Sequence, residues 1–296
     1  MAISVQDLSQ WTTPGSNATA TKTYDSVKSA LDRSTELDSL DTGTFLQGSY
    51  ANSTNTRGDS DVDVVVMLKS SFIPDLRKLT TVEKSTYESR HQDSTETAAT
   101  FRTKIERALV AYYGSGRVRS KDKCLYVPKE DGYVDADVIP AIQVRKFTSY
   151  PIVGEPTFTE GIRIAPLTGG TIVNYPKEHI QNGYSKNKRT NDVYKPTVRQ
   201  IKRLRRFAVD QGRMREDGTS SYVLECLVYN VPDEFFVSDD GIRVQRIMKW
   251  LSSHTAEELH SDFVSCDEIH TLFETDPGKH NQYTAANALS AMYGML

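Results

Sequence analysis

Gln47-Gly48-Ser49-Tyr50-Ala51-Asn52-Ser53-Thr54-Asn55-Thr56-Arg57-Gly58-Asp59-Ser60-Asp61-Val62-Asp63-Val64-Val65-Val66 is the stretch that decides how this chain folds and what it can do. A Gly-Ser pair is followed, twelve residues after the serine, by two aspartates at i and i+2 that open an apolar run. A run this rich in β-branched residues reads as a strand. Successive strand side chains face opposite ways, so Asp61 and Asp63 share one face and Val62, Val64 and Val66 the other. The two Cα atoms then lie ~6.5 Å apart, within reach of one hard cation. A D-x-D pair alone often marks a solvated turn, but carboxylates entering a buried strand are costly without a cation or a partner. Upstream, small residues let the backbone approach a phosphate closely and offer it N–H donors. These are the parts that metal-assisted phosphoryl or nucleotidyl transfer requires.

A two-metal site needs a further anionic ligand, and Tyr133-Val134-Asp135-Ala136-Asp137-Val138-Ile139-Pro140 offers one about seventy residues downstream. Asp135 and Asp137 again fall on one strand face. Asp137 is favoured because it leads directly into an apolar run that anchors it in the sheet, which leaves Asp135 as a supporting or exposed residue. With three carboxylates, two Mg²⁺ ions ~3.5–4 Å apart would hold a triphosphate and acidify an attacking hydroxyl.

Around these strands the pattern predicts an α/β chain of two lobes. Residues 18–31 read as an amphipathic helix backing the sheet, 44–49 and 61–68 as strands, and 99–113 as a helix stopped by Gly114-Ser115-Gly116. Residues 70–98 read as a polar stretch, 117–127 and 133–146 as further strands. Loops and a short hairpin are expected over 151–170, and a polar connector over 179–190. Pro196 is expected to open a helix reaching Gln211. Its core stripe is Val198, Ile201, Leu204, Ala208 and Val209, with Lys202 at the edge of that stripe and Arg205 within the apolar arc. Residues 221–229 read as a buried helix capped by Ser220 or Ser221. Two amphipathic packing segments follow, at about 240–252 and 284–293. The expected division is a catalytic core over 1–175 and a helical lobe over 176–296 that closes the nucleotide cleft.

Composition bounds the function. The 296 residues are 38% hydrophobic and 25% charged, with a net charge of −3. That is enough chain for a sizeable core, and too acidic to coat nucleic acid nonspecifically. No apolar run approaches the ~20 residues of a membrane span, and no basic-then-apolar signal is read at the start, so cytoplasmic residence is expected. Cys124, Cys226 and Cys266 form neither a metal spacing nor an even disulfide set. His179 is the histidine placed nearest the site, with a structural role expected because the metal ligands are oxygens.

Gly48-Ser49, Asp61-x-Asp63 and Asp137-Val138-Ile139-Pro140 resemble the polymerase β-like nucleotidyltransferase superfamily. Other segments narrow the resemblance: Leu46-Gln47-Gly48-Ser49-Tyr50, Val173-Asn174-Tyr175-Pro176, Tyr194-Lys195-Pro196-Thr197 and Ser221-Tyr222-Val223-Leu224-Glu225-Cys226-Leu227. With Arg57 to Asp63, they are similar to the bacterial cGAS/DncV-like nucleotidyltransferases (CD-NTases), the CdnE clade in particular. The fold that follows is a mixed sheet with a C-terminal helical lobe. The activity implied is a cyclic dinucleotide synthase that joins NTPs, UTP with ATP or a second UTP, into a second messenger for antiphage defence. Carried over by position, Asp61, Asp63 and Asp137 bind Mg²⁺, for which Mn²⁺ substitutes. Gln47, Gly48, Ser49 and Ser60 line the donor nucleotide, Lys202 and Ser221 contact its triphosphate, and Tyr222 lies on or beside its base. Asn174 resembles a residue linked to pyrimidine choice. Its amide can pair with a uracil edge, but Asn before Tyr-Pro is also common for local backbone reasons. Neither a membrane nor an obligatory long nucleic acid is expected as partner, and a regulatory protein is. Two alternatives stand beside this reading: the same fold with a non-nucleotide acceptor, and a catalytically silent nucleotide-binding sensor.

Overall fold

The valine run after Asp61 forms a strand, and a longer one than its apolar pattern predicts. In the computed structural model, which describes residues 3, 5–15, 17–56, 61–92, 94–216, 219–274 and 280–296, this strand runs Asp61–Asp75. Among the described residues the elements are, in order, α1 (Val5–Gln10), α2 (Ala18–Asp32), β1 (Thr42–Gln47), α3 (Gly48–Ala51), β2 (Asp61–Asp75), α4 (Thr81–Arg90) and α5 (Ala98–Tyr113). Then come β3 (Arg119–Ser120), β4 (Leu125–Val127), β5 (Asp135–Ser149), β6 (Thr157–Ile164) and β7 (Ile172–Asn174). The helices α6 (Pro176–Arg189), α7 (Tyr194–Asp210), α8 (Ser221–Asn230), α9 (Asp240–Ser252), α10 (Ala256–Asp262) and α11 (Gln282–Tyr293) complete the chain.

The chain divides into two compact units. The described parts of residues 17–47 and 60–176 make the sheet unit, and those of 1–16, 48–59 and 177–296 the helical unit. The expected two-part division misses this interleaving, because residues 48–59 and the N-terminal segment cluster with the helices. Sequence position alone carries no signal for such a return of the chain.

The sheet is mixed, ordered β1-β2-β5-β4-β3, with β6 on the later half of β5 and β7 on β6. Among the described residues only β2 and β5 pair in parallel, with Asp61 opposite Asp135 and Asp63 opposite Asp137. One face of this pair presents Val62, Val64, Val66, Leu68, Ala136 and Val138, all buried, and α2 and α5 pack on these strands. Helix α5 begins at a capping box in which the Thr97 hydroxyl accepts from Thr100 N at 3.1 Å, and it stops at Gly114 with φ 92°. The opposite face carries the aspartates and then a small apolar cluster of Val65, Met67, Ile139, Ala141, Ile162 and Ile164.

Three sequence expectations change. The register shift between Leu68 and Phe72 lets β2 continue seven residues past its apolar run, and α4 occupies part of the polar stretch. The loops and short hairpin expected over 151–170 include an eight-residue strand, β6, which pairs antiparallel with β5 and β7. The expected connector at 179–190 lies mostly within helix α6, whose half-polar pattern hides its period.

The helical unit is built on Tyr194, Val198, Ile201 and Leu204 of α7, Val223, Leu224 and Leu227 of α8, and Val244, Ile247 and Leu251 of α9, with Leu8 of α1 in the same core. Cys226 and Cys266, scattered in sequence, come together there as buried thiols with their Sγ atoms 3.5 Å apart. Among the described residues no helix is long and apolar enough to cross a membrane.

Glycine 161 of β6 is required by close approach. A Cβ there would lie 2.8 Å from Tyr175 Cε1 and 3.0 Å from Asn174 O. Gly161→Ala should therefore cost about 1–3 kcal/mol in denaturant unfolding, by forcing apart the strand that ends in Asn174.

Candidate active site

The in-register pairing of β2 and β5 puts Asp61, Asp63, Asp135 and Asp137 on one sheet face. Gln47 of β1 lies opposite Asp63, and Tyr126 of β4 opposite Asp137, so both join that face. Burial, with the charges of Asp137 and then Asp61, pushes the Asp63 carboxyl up to about 7. Asp135 differs. Burial opposes its charge, but the Tyr126 hydroxyl donates to it at 2.6 Å and Lys129 N at 2.8 Å, holding it below the usual carboxylate range. Both bonds fall on its Oδ1, whereas Asp137 Oδ1 meets the Lys121 ammonium at 3.0 Å. Burial and Asp137 push the neighbouring Cys124 thiol up to about 12, so it stays protonated.

Among the described residues no three His, Cys, Asp or Glu side chains converge as a formed metal cage. The donor set nevertheless suits a hard divalent ion: it is all oxygen, it shares one face, and burial with the charges of Asp137 and Asp61 raises the proton affinity of Asp63. A cation on Asp61, Asp63 and Asp137 would relieve that repulsion.

Gly48 and Ser49 follow Gln47 directly and open the short helix α3. Gly48 has φ 70°, a left-handed conformation that favours glycine. Its carbonyl accepts from Asn52 N at 3.1 Å and Asn52 Nδ2 at 3.0 Å, and Ser49 O accepts from Thr54 N at 2.9 Å. Thr54, Asn55 and Thr56 are buried. Ser60, also expected at the nucleotide, lies outside the described residues with Arg57, Gly58 and Asp59.

Within the helical unit a charge network holds this segment. The Thr54 hydroxyl donates to Glu225 Oε2 at 2.8 Å and accepts from Lys202 Nζ at 3.1 Å; Lys202 also donates to Glu225 at 2.9 Å. His179 Nε2 lies 3.0 Å from the other Glu225 oxygen. Arg199, also of α7, donates to Ser53 O and Thr12 O. Burial disfavours the Glu225 charge, yet Lys202 and His179 hold its carboxyl far below the usual range. Burial likewise disfavours protonated His179, and Glu225 more than offsets it, raising its pKa. Lys202, expected at the stripe edge, is thus buried, and its ammonium is engaged by protein groups.

Ser221 is the exposed first residue of α8, while Ser220 is the cap, its hydroxyl accepting from Val223 N at 3.2 Å. A cavity of about 300 Å³ is lined by Thr56, Lys202, Arg205, Arg206 and Ser221 among others. Arg205 there donates to the Glu216 carbonyl. The Tyr222 ring stacks on His280 at 5.3 Å and meets His179 edge-on at 5.9 Å. Asn174 ends β7, opposite Ile162. Sequence reasoning missed the roles of Thr54, Glu225, Lys121 and Tyr126. Glu225 carried a signal, as a lone carboxylate in the apolar run Tyr222 to Val228.

Residues 181–296 match the cGAS/DncV-like nucleotidyltransferase C-terminal helical domain, and residues 27–127 the nucleotidyltransferase domain. The chain is 40% identical over 252 residues to the cyclic UMP-AMP synthase of Rhodothermus marinus, covering 85% of this chain and 84% of that protein. It is 34% identical over 282 residues to the cyclic dipyrimidine nucleotide synthase CdnE of Legionella pneumophila, covering 94% and 92%. A solved structure of Rhodothermus marinus CdnE c-UMP-AMP synthase with Apcpp and Upnpp superposes with a TM-score of 0.86 at 37% identity, covering 98% of this chain and 95% of that one.

Glu225→Gln leaves the Lys202 charge buried without its counter-ion and should cost about 3–5 kcal/mol in denaturant unfolding. The raised pKa of His179 means that its protonated form adds stability in full below pH 6.5, and that this is lost as pH rises through the raised value. The stability gap between wild type and His179→Gln should therefore be widest below pH 6.5 and narrow above it.

Proposed function

The chain belongs to the cGAS/DncV-like nucleotidyltransferases of the CdnE type, and from that premise we propose how this nucleotidyltransferase uses its carboxylate face. It is a cyclic dinucleotide synthase, and the reading favoured here joins UTP with ATP or a second UTP. The single observation that carries the chemistry is the row of Asp61, Asp63 and Asp137 on one face of paired strands. These three would hold two divalent ions, Mg²⁺ or Mn²⁺, which when bound neutralise the triphosphate and lower the pKa of the attacking hydroxyl. Asp63, whose proton affinity is raised by its neighbours, accepts a cation in place of a proton.

The remaining roles belong to binding and orientation. Gly48 and Ser49 offer backbone N–H groups and a hydroxyl to the donor phosphates, in a turn kept rigid by the Thr54–Lys202–Glu225 network. Gln47 stands beside Asp63 and Ser60 lies just before Asp61 in the chain. The family resemblance supports Ser221 as a contact to the triphosphate and Tyr222 as a contact to the base. Lys202 acts through Thr54 while it is paired with Glu225. The 3′- or 2′-hydroxyl of a second NTP attacks the α-phosphate in line and pyrophosphate leaves; a second transfer closes the ring. Asn174 reads the pyrimidine edge with its amide. The family resemblance supports a role in antiphage defence, cytoplasmic residence and control by a protein partner, and a net charge of −3 is in keeping with small nucleotides over long nucleic acid.

Incubation with ATP, UTP, CTP and GTP and Mg²⁺ or Mn²⁺, followed by phosphatase and mass spectrometry, should leave a resistant cyclic product containing uracil. No product with either metal would reject synthesis from NTPs alone and point to another acceptor or to a silent sensor. Asp61→Ala and Asp63→Ala should each lower turnover by on the order of 10³-fold or more, several kcal/mol of transition-state stabilisation, with the melting transition preserved. Asn174→Ser should admit purines to the product spectrum; an unchanged spectrum would return Asn174 to a backbone role.

A further inference from the structure

Lys121 lies in the tight turn between β3 and β4, and that turn is fastened from the core. Arg119 and Ser120 pair with Tyr126 and Leu125, and Lys121 N donates to Cys124 O at 2.9 Å. Arg102 of α5 is buried, and its Nη2 donates to Ser120 Oγ at 3.0 Å, Lys121 O at 2.6 Å and Cys124 O at 2.9 Å. A buried guanidinium committed to one turn is costly unless the turn must hold its place.

The ammonium of Lys121 is seated as well as reached. It lies 3.8 Å from the centroid of the Tyr126 ring and 3.0 Å from Asp137 Oδ1. The same tyrosine donates its hydroxyl to Asp135 at 2.6 Å. Tyr126 therefore fixes one carboxylate at its rim and one cation over its face. A lysine merely reaching for solvent needs neither the aromatic seat nor the clamp beneath it.

We propose that Lys121 is a tethered counter-cation of the carboxylate row: it holds Asp137 in the metal-free protein, competes with a divalent ion for that carboxylate, and is displaced when the ion binds. The proposal rests on the reading of Asp137 as a metal ligand. Lys121 acts through Asp137 and is a positioning residue. Its side chain is 45% exposed, so the freed ammonium re-enters solvent at little cost. The geometry serves two needs. Like charges on adjacent strands are compensated while the site waits for its ion, and Asp137 is kept in place rather than turned away by its neighbours.

The test is Mn²⁺ binding to the nucleotide-free 296-residue chain, followed by the electron paramagnetic resonance signal of free Mn²⁺. Lys121→Met and Lys121→Gln should each bind Mn²⁺ about three- to tenfold more tightly than wild type, the range for removing one partly exposed charge. Lys121→Arg should stay near wild type, and Asp63→Asn should lose the site. A merely structural lysine would leave the affinity unchanged or lower it. That result, with Asp63→Asn still losing binding, overturns the role of Lys121 and leaves the metal site standing. Binding unaffected by Asp63→Asn removes the metal assignment and the proposal together.

Discussion

The parallel, in-register pairing of β2 with β5 is the constraint on which the rest of the sheet unit depends. It sets Asp61 opposite Asp135 and Asp63 opposite Asp137, and a slip of β5 by one residue would turn Asp135 and Asp137 away from Asp61 and Asp63 to the apolar face. Register is secured by the opposite face, where Val62, Val64, Val66, Ala136 and Val138 are buried to 1% exposure or less. The apolar face thus stabilises what the acidic face opposes. Three of the four acids are then handled differently: Asp135 by a phenol and an amide, Asp137 by an ammonium, and Asp63 by a raised proton affinity.

The helical unit solves the same problem by closure. Glu225 and Lys202 are both removed from water, and their remaining hydrogen-bonding capacity goes to His179, Thr54 and the Thr54 carbonyl. A buried pair satisfied in this way adds little net stability over an apolar one, and what it contributes is a single placement. The placement is of the segment that carries Gly48 and Ser49. One unit keeps its charges open for a ligand, while the other uses them to fix a turn.

Much of this was legible in the chain because short-range pattern controls it. The D-x-D head of β2, the strand that carries Asp135 and Asp137 and helices α2, α5, α7 and α8 all follow from periodicity and neighbouring residues. The extent of β2 was not, since residues 72–75 pair with β5 again after a register shift. Helix α6 was missed because its Lys, Asn and Gln residues mask a helix whose polar Lys186 is nevertheless buried against Asp233 and the Val231 carbonyl. Lys202 resisted prediction for a related reason. The wheel placed it near the core, but its partner Glu225 lies 23 residues on, and Thr54 lies 148 residues back. Long-range polar pairing leaves no local spacing to read.

The return of residues 48–59 to the helical unit limits how this protein can be divided. Glu225, Lys202 and Arg199 all lie after residue 177, whereas Thr54 and the Ser53 carbonyl reach them from a loop between two strands of the other unit. A fragment starting at residue 177 would carry the cation and the carboxylate without the threonine between them, and an arginine stripped of its acceptors. The helical portion is therefore not a cassette that recombination could lift out and graft at its C-terminal boundary. Any exchange between relatives must take the Gly-Ser loop along with the helices, so the two segments are bound to be inherited together.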